Sequence, residues 1–231
     1  IGAQATVDFC FDQGQQSFCD NINYLAGSTT DISTIDITNY NFASQTSRGI
    51  DFEASYRRAI GPGDLSLRAL GTYTIENVTD NGIDPITDDN AGTYFLPDLQ
   101  YRFSVGYDMD SGFGASLVGR GHTGGTYDND WIECQTACPF IQDPVLRSFY
   151  RTINDNDVPG ALYFDTNFNY DFELQGVQAQ FLFAVKNVFD RDPELVGNGP
   201  DGNNTPAYPQ TNRSRYDTFG RTFRLCVRLR Y

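Results

Sequence analysis

Basic residues other than arginine are almost missing from this 231-residue sequence, which contains one lysine, Lys186, and one histidine, His122. Its 30 acidic residues outnumber the 16 lysines and arginines, so the net charge is −14. Binding to the phosphate backbone of nucleic acids needs clustered positive charge, and we therefore expect no nucleic-acid partner. No G-x-S-x-G motif or metal-ligand pattern accompanies the single histidine, so we expect no enzyme.

Long hydrophobic runs are also missing. No segment approaches the ~18 apolar residues of a membrane-spanning helix, the mean hydropathy is −0.44, and we expect no signal peptide within these residues. Because the first residue is Ile1 and not methionine, we expect a processed, truncated or partial chain. A membrane location stays open, since a transmembrane β-strand presents apolar side chains to lipid only at every second position.

The sequence contains repeated alternation of apolar and polar residues instead of helical periodicity. Most alternating segments have about ten residues, which suits a tilted strand crossing a bilayer better than the usual soluble strand of five or six. The segments are 49–58, 65–76, 99–108, 113–119, 161–173, 177–186 and 223–231. This pattern predicts an all-β, antiparallel fold with about seven long strands.

The connections between these segments alternate between short and long. "GPGD", "MDSG" and "LQG" are minimal turns, whereas 77–93, 122–159 and 190–217 are long and polar. Outer-membrane barrels have this asymmetry, with short periplasmic turns and long extracellular loops. A soluble β-sandwich or lectin-like domain is the alternative, in which each apolar face would point to a core. Aromatic residues near strand ends favour the membrane, where they would form an interfacial girdle: Tyr56, Tyr73, Tyr94, Tyr107, Phe113, Phe172, Phe189 and Tyr231.

Three motifs resemble those of one protein family. "FAVKNVFDRDP", residues 183–193, resembles the penultimate barrel strand of TonB-dependent outer-membrane receptors, and "YDTFGRTFRLCVRLRY", residues 216–231, resembles their closing strand. "TSRGIDFEASY", residues 46–56, is similar to an earlier strand of the family. In such barrels the assembly machinery reads the apolar face of the last strand, which here comprises Phe223, Leu225, Val227, Leu229 and Tyr231.

The resemblance implies a fold and a function. It implies that residues 48–231 are the C-terminal strands of a large, plugged transmembrane β-barrel with long extracellular loops, and that residues 1–47 form an extracellular loop or hairpin region. The partners would be outer-membrane lipid, the TonB complex, the remaining barrel and plug, and a small-molecule nutrient. The nutrient would be an iron chelate, cobalamin or a glycan.

The sequence departs from the family because its N-terminal plug, its TonB-contacting segment and most of the barrel strands are missing. We therefore keep a structural alternative, in which a released fragment pairs with copies of itself through open strand edges into a fibre or tube. Its location would then be extracellular and not the outer membrane. A soluble carbohydrate-binding β-domain is the third alternative.

The cysteines form two close pairs and one single residue. An extracytoplasmic location favours one disulfide between Cys10 and Cys19 and another between Cys134 and Cys138. The first pair also resembles a loop found in some receptors of the family. A metal site is the alternative, but no histidine neighbours either pair. Cys226 remains as a free thiol on the polar face of the last strand.

The extracellular loops are the expected place for a ligand. Aromatic and acidic side chains there could contact a sugar or an iron chelate; the candidates are Tyr127, Asp128, Trp131, Phe140 and Tyr208. We expect no cofactor and no structural metal, with loop Ca²⁺ as the exception to test. Its candidate ligands are Asp80, Asp84, Asp88 and Asp89, whose spacing is not that of an EF-hand.

Charged residues on the polar strand faces are predicted to point into the lumen and to pair with each other or with a plug. The arginines are Arg68, Arg102, Arg120, Arg224, Arg228 and Arg230, and the acids are Asp51, Glu53, Asp165 and Asp171. His122 is expected to lie at the rim. "GRGHTG", residues 119–124, fits the dinucleotide-binding pattern G-x-G-x-x-G, but no helix is predicted after it, so we attribute the match to chance.

Overall fold

The structure is a computed structural model that describes residues 2–37, 44–80, 84, 86–196 and 211–230. The helices are α1 (Ala3–Phe11), α2 (Gln16–Cys19) and α3 (Pro144–Phe149). The strands are β1 (Ile22–Tyr24), β2 (Ile32–Ile35), β3 (Ser44–Ala59), β4 (Gly63–Asp80), β5 (Asp88–Asp89), β6 (Leu99–Met109), β7 (Phe113–His122), β8 (Gly125–Thr126), β9 (Ile132–Glu133), β10 (Thr152–Ile153), β11 (Asp157–Val158), β12 (Ala161–Leu174), β13 (Val177–Lys186) and β14 (Thr222–Arg230). Throughout these described segments, every helix is too short or too polar to cross a membrane.

The chain divides into two compact units. The first comprises residues 1–46, 78–89 and 130–156, and the second comprises residues 47–77, 90–129 and 157–231. The second unit contains nearly all of the long strands, which form one sheet in the order β14-β13-β12-β7-β6-β4-β3. Among the described residues, β3 and β14 each have a neighbour on one side only.

The sheet is antiparallel and confirms the predicted all-β fold. Each of the seven alternating segments forms one long strand. β13 has the predicted bounds, and several others extend beyond them by a few residues, most of all β4, which continues to Asp80. Antiparallel pairing joins β4 to β6, β6 to β7, β7 to β12, β12 to β13 and β13 to β14. The strand content was predictable because apolar side chains recur at alternate positions along each segment.

Tight turns close the hairpins at one end of the sheet. Between β12 and β13, Gln175 and Gly176 have φ angles of 51° and 83°, and Leu174 pairs directly with Val177 across the turn. Two consecutive positive φ angles are those of a type I′ turn, whose twist matches that of the flanking strands. Gly112, with φ of 88°, has the same left-handed backbone in the β6–β7 turn. The predicted minimal turns are therefore present at both places.

The apolar face of the sheet is exposed. Many large side chains on this face keep more than a third of their surface accessible, for example 48% for Phe52, 42% for Leu117, 38% for Phe181 and 66% for Leu225. Nothing in the described part of the chain covers this face as the second sheet of a sandwich would. The arrangement is the reverse of a soluble protein, in which burial of apolar surface supplies the main free energy of folding.

The opposite, polar face is the one that the chain covers, at the end where the long connections lie. Tyr163, Ala161 and Val158 form a buried cluster with Tyr216 and Val196. Two further aromatic residues, Tyr94 and Tyr127, stack on each other with ring centroids 5.3 Å apart and pack against this cluster. The girdle prediction is therefore wrong for Tyr94, which is held inside the loop layer by this contact. Tyr56, Tyr73, Phe113, Phe172 and Phe189 are exposed, whereas Tyr107 is partly exposed and its hydroxyl donates to the carbonyl oxygen of Ile60. Tyr231 lies outside the described residues, and the interfacial girdle stays a prediction for the other six.

The first unit has its own small core. Phe9 and Phe18 lie with ring centroids 4.9 Å apart and are buried together with Cys10 and Ile22. Residues 1–47 were predicted as a loop or hairpin region. The hairpin exists as β1 and β2, but α1 and α2 precede it and were not predicted. A helix of nine residues with a weakly amphipathic sequence offers too few turns for periodicity to be recognised.

The long connections also contain more structure than a loop prediction implies. In 122–159, β8 pairs with β11 and β9 pairs with β10, and α3 lies between them. These strands have two residues each, below the length at which alternation can be read from a sequence. The motif "GRGHTG" ends β7 and continues into β8, not into a helix, so it lacks the context for dinucleotide binding.

Candidate functional site

The candidate site is a cavity of about 300 Å³ on the polar face of the sheet, which we call the polar-face pocket. Strand register brings its wall together. Gln100 on β6 lies opposite His122 on β7, and Arg102 lies opposite Arg120. On the other side of β7, Arg120 lies opposite Tyr163 on β12. Arg215, from the segment before β14, completes the lining.

Arg120 is the best-anchored cation of this pocket. Its Nε donates to Asp165 at 3.0 Å and its Nη2 donates to Asp217 at 2.6 Å. The two carboxylates are 14% and 12% exposed, so solvent screens the pairs only weakly. The guanidinium also lies 4.8 Å from the centre of the Tyr163 ring, within cation–π range. The predicted pairing of lumenal arginines with acids is present here and between Arg68 and Glu53 at 2.8 Å.

His122 is the last residue of β7, at the end of the sheet where the long connections lie, and it is buried there. It is 7% exposed, and its ring meets the ring of Tyr216 edge-on at 5.1 Å between centroids. Nδ1 lies 2.9 Å from the carbonyl oxygen of Thr123. A carbonyl only accepts hydrogen bonds, so Nδ1 carries a hydrogen and donates it to Thr123.

Arg215 connects the segment before β14 to β6 and the turn before it. Its Nη2 donates to the carbonyl oxygen of Phe95 at 2.8 Å, and its Nη1 donates to the amide oxygen of Gln100. Both acceptors are neutral. Partial burial of this guanidinium lowers the pKa of Arg215 from its ordinary value, because desolvation disfavours the charged form.

The neighbouring Tyr216 fixes the same segment beside the start of β12. Its hydroxyl donates to the carbonyl oxygen of Pro159 at 2.5 Å. Burial raises the pKa of Tyr216 to about 12, and the nearby Glu194 carboxylate adds to the shift. The hydroxyl therefore stays protonated over the physiological range and keeps its bond to Pro159.

A hydrogen-bonded clamp at the end of β13 holds this part of the chain in place. Asn187 is 1% exposed and has a positive φ of 49°; its side chain bonds both the N–H and the carbonyl of Arg191 at 2.9 Å. Its backbone N–H donates to Asp165. Asp190 then accepts from the N–H of Arg221 at 2.7 Å. These contacts give a physical reason for the Asn-x-x-Asp spacing within "FAVKNVFDRDP".

The predicted ligand-contact residues are distributed over both units. Tyr127 and Asp128 belong to the second unit, where Tyr127 stacks on Tyr94 and packs against the buried cluster. Trp131 and Phe140 belong to the first unit. Phe140 is 64% exposed, and the Arg147 guanidinium lies 4.2 Å from its ring centre. Tyr208 lies outside the described residues, and ligand contact by any of these residues stays a prediction.

The cysteines and loop acids can be placed as well. The structure contains the disulfides Cys10–Cys19 and Cys134–Cys138, and Cys226 is free. Within the described ranges no three His, Cys, Asp or Glu side chains are grouped as a metal site. Of the four calcium candidates, Asp88 and Asp89 form β5 and pair with β4, whose last residue is Asp80. Asp84 is described as a single residue between gaps, and calcium binding stays a prediction.

The last strand presents the face predicted from its alternation. Phe223, Leu225, Val227 and Leu229 are between 49% and 67% exposed, and Arg224, Cys226 and Arg228 alternate with them on β14. Tyr231 lies outside the described residues. Recognition of this face by an assembly machinery stays a prediction.

Sequence reasoning missed most of the polar-face pocket. Arg102 and Arg120 were predicted to face the lumen, but Gln100, Tyr163 and Arg215 were not singled out. Tyr163 lies on the polar face of β12, as the other odd-numbered residues of that strand do. A large aromatic residue among these polar side chains could have indicated a covered position. Arg215 could not be found in this way, because it reaches Phe95 and Gln100 across 120 and 115 positions of sequence.

The fold and the site together define a class of protein. An antiparallel sheet of long strands, with an exposed apolar face and a polar face covered by the long connections, is the wall of a transmembrane β-barrel. The comparisons agree. The family model "TonB dependent receptor-like, beta-barrel" matches residues 13–188, which is more than half of the 231 residues.

The chain therefore belongs to the TonB-dependent receptor β-barrel family. The family comprises outer-membrane receptors and transporters and not enzymes. The match includes the motif at 46–56 and the first part of the motif at 183–193, but ends before residues 216–231, so the resemblance of the closing strand rests on its residues alone. No curated protein and no solved structure matches the chain.

Proposed function

We propose that this chain supplies part of the barrel wall and the extracellular loops of a receptor that imports a scarce nutrient across the outer membrane. The nutrient is an iron chelate, cobalamin or a glycan, and the energy comes from the TonB complex, acting through the plug that the family implies. The observation that carries the proposal is the family match over residues 13–188.

The exposed apolar face supports the membrane part of this proposal. A soluble carbohydrate-binding domain would have to leave residues such as Phe52, Leu117 and Leu225 in water, and their exposed apolar surface would favour association. In a bilayer the same residues contact lipid and need no further cover. The structural alternative, a fibre or tube of released fragments, would pair copies through β3 and β14, which each have a neighbour on one side only among the described residues; the family match favours the receptor wall instead.

The loop aromatic residues are our candidates for nutrient contact. Phe140 offers an exposed ring with a guanidinium stacked on it, and Trp131 lies in the same unit. Aromatic rings suit stacking on sugar rings and on the aromatic groups of iron chelates. Tyr127, Asp128 and Tyr208 complete the set of candidates in the connections of the second unit.

The proposal is tested by uptake in the source bacterium. Deletion of the gene should abolish high-affinity uptake of one nutrient class under limitation, and removal of TonB should reduce that uptake to the same level. Restoring the gene with Phe140→Ala should weaken uptake more than the matched aromatic substitution Phe189→Ala on the lipid-facing surface. Unchanged uptake of iron chelates, cobalamin and glycans in the deletion strain would contradict the proposal.

A further inference from the structure

An exposed aromatic ring lies on a short connection of the first unit. Phe140 is 64% exposed, and all residues from 135 to 140 are exposed. The pairing of β9 with β10 closes the base of this connection, where the N–H of Cys134 donates to the carbonyl oxygen of Ile153 at 2.8 Å. We call residues 132–153 the Phe140 loop. Burial of apolar surface cannot explain the position of the ring, because most of the ring remains in water.

A disulfide fixes the chain before Phe140. The bond between Cys134 and Cys138 closes a loop of only a few residues, and Phe140 follows the second cysteine by two positions. Ala137, inside this closed loop, has a φ of 55°, a left-handed conformation that residues other than glycine seldom adopt in a free chain. Because Cys134 is itself bonded to β10, the disulfide joins the chain before Phe140 to the base of the loop.

The helix α3 fixes the chain after Phe140. Asp143 precedes this helix, and its side chain accepts a hydrogen bond from the N–H of Leu146 at 3.2 Å. Pro144 is the first helical residue, and an aspartate followed by a proline is a favoured way to begin a helix. The N–H of Arg147 donates to the carbonyl oxygen of Asp143 at 3.0 Å. The helix therefore places Arg147 one turn after Asp143, close to the residues that follow Phe140.

The guanidinium group of Arg147 contacts both the backbone and the aromatic ring. Its Nε donates to the carbonyl oxygen of Ile141 at 2.8 Å, and its Nη2 donates to that of Gln142 at 3.2 Å. Its Cζ atom lies 4.2 Å from the centre of the Phe140 ring, within cation–π range. A planar group with several donors and a flat face is a property of arginine that lysine lacks. Arg147 thus supports the ring from one side, and the remaining surface of the ring stays accessible.

Fixing the ring in advance lowers the cost of holding a ligand. When a ligand binds a mobile loop, the loop and its side chains lose conformational freedom, and this loss weakens binding. In the Phe140 loop, the β9–β10 pairing, the disulfide and the Arg147 contacts remove that freedom during folding. The exposed ring is therefore preorganised, as a ligand-contact residue needs to be.

We propose that Arg147 is a positioning residue for nutrient binding, which holds the Phe140 ring in the conformation that contacts the nutrient. The Cys134–Cys138 disulfide fixes the other side of the same ring. The inference rests on the proposed receptor function, because it requires that Phe140 contacts the nutrient. Arg147 acts through Phe140, so its effect on uptake depends on the presence of that ring.

The test is a double-mutant cycle on uptake by the source bacterium, in the deletion strain with the gene restored. The probes are a ferric catecholate chelate, cyanocobalamin and a malto-oligosaccharide, and kinetics are measured for the probe whose uptake depends on the gene. Phe140→Ala should raise the apparent KM about tenfold and Arg147→Gln about fivefold, with the maximal rate per receptor unchanged within about twofold. In the Phe140→Ala background, Arg147→Gln should change the apparent KM by less than about twofold, because the ring that it positions is gone.

Three further variants separate positioning from charge. Arg147→Lys keeps the charge but lacks the planar group, so it should raise the apparent KM about as much as Arg147→Gln does. Replacing both cysteines, Cys134→Ser with Cys138→Ser, should also raise the apparent KM, again only when Phe140 is present. Arg57→Gln, the control, makes the same charge change in the second unit, at an exposed ion pair with Asp64, and should leave the apparent KM unchanged within about twofold.

Three results would overturn the inference: an apparent KM unchanged by Phe140→Ala or by Arg147→Gln, effects of these two substitutions that multiply in the double variant, or a wild-type apparent KM in Arg147→Lys. The deletion strain tests the receptor function separately. If uptake depends on the gene and on TonB but the cycle shows no coupling, the receptor function stands and the inference fails. If uptake of none of the three probes depends on the gene, the receptor function fails, and the inference fails with it.

Discussion

At the scale of single residues, Arg120 pairs with two carboxylates that are mostly buried. It joins β7 to Asp165 on β12 and to Asp217 in the segment before β14. Removing it leaves two carboxylates, each less than 15% exposed, without their cation. A buried pair that loses one partner costs several kcal/mol, mainly because the remaining charge stays desolvated.

We therefore expect Arg120→Gln to lower the free energy of unfolding by roughly 3 kcal/mol, measured by urea unfolding in lipid vesicles. Arg68→Gln is the matched control. Its pair with Glu53 has side chains 56% and 55% exposed, and such pairs contribute at most about 1 kcal/mol. Equal effects of the two substitutions would show that burial of the carboxylates has no energetic role.

Tyr216 makes the stability of the folded protein depend on pH. Its pKa is about 12 in the folded protein, against the ordinary value of 10.0, so the unfolded chain loses this proton first. The stabilising contribution is complete below pH 10 and declines as the pH rises towards 12. Urea unfolding between pH 9 and 12 should show wild type losing stability relative to Tyr216→Phe. A difference between the two proteins that stays constant with pH would contradict the assignment.

At the scale of elements, the β12–β13 turn depends on two positive φ angles, at Gln175 and Gly176. No atom lies within 4 Å of a Cβ added at Gly176, so a substitution there is opposed by backbone conformation alone. Gly176→Ala should cost about 1 kcal/mol in unfolding free energy. Gln175→Asn should stabilise the hairpin, since Asn-Gly is the preferred type I′ pair. A stabilising Gly176→Ala would show that the turn has another conformation.

The two faces of β13 offer a sharper test of the sheet. Phe181 is on the exposed apolar face and the next residue, Leu182, is on the polar face, opposite Cys226 of β14. Phe181→Arg should cost roughly 2–4 kcal/mol in lipid vesicles, because the charge enters hydrocarbon. Leu182→Arg, an equal change one position away, should cost much less because the interior of such barrels is polar. Equal costs would place both faces in the same environment.

The length of an element decides whether it could be predicted from the sequence. The seven long strands were predictable because β-alternation extends over ten or more residues in most of them, and the hairpin at Gln175–Gly176 because "LQG" leaves room for a turn only. The helix α1, the two-residue strands β8 to β11 and the contact of Tyr94 with Tyr127 were not. The helix and the short strands contain too few residues for a period to be recognised, and the tyrosine contact joins two separate connections of the chain.

At the scale of the whole molecule, residues of the site that follow from strand alternation could be predicted, and residues that arrive from distant parts of the sequence could not. The polar faces of the strands, and with them Arg102 and Arg120, followed from alternation. The pocket required Arg215 and Asp217, and Asp217 reaches Arg120 across 97 positions of sequence. Such contacts depend on how the segment before β14 returns to the sheet. Family membership, by contrast, was readable from motifs and is shown by the match over residues 13–188.

The central claim is that the exposed apolar face of this sheet is the lipid-facing wall of a receptor barrel. The most direct measurement is a spin-label scan of residues 179–184 on β13 in lipid vesicles, in a Cys226→Ala background. We predict that labels at 179, 181 and 183 are accessible to oxygen dissolved in the bilayer, and that labels at 180, 182 and 184 are accessible to a water-soluble nickel chelate. Water accessibility at every position, or an alternation of opposite phase, would contradict the claim.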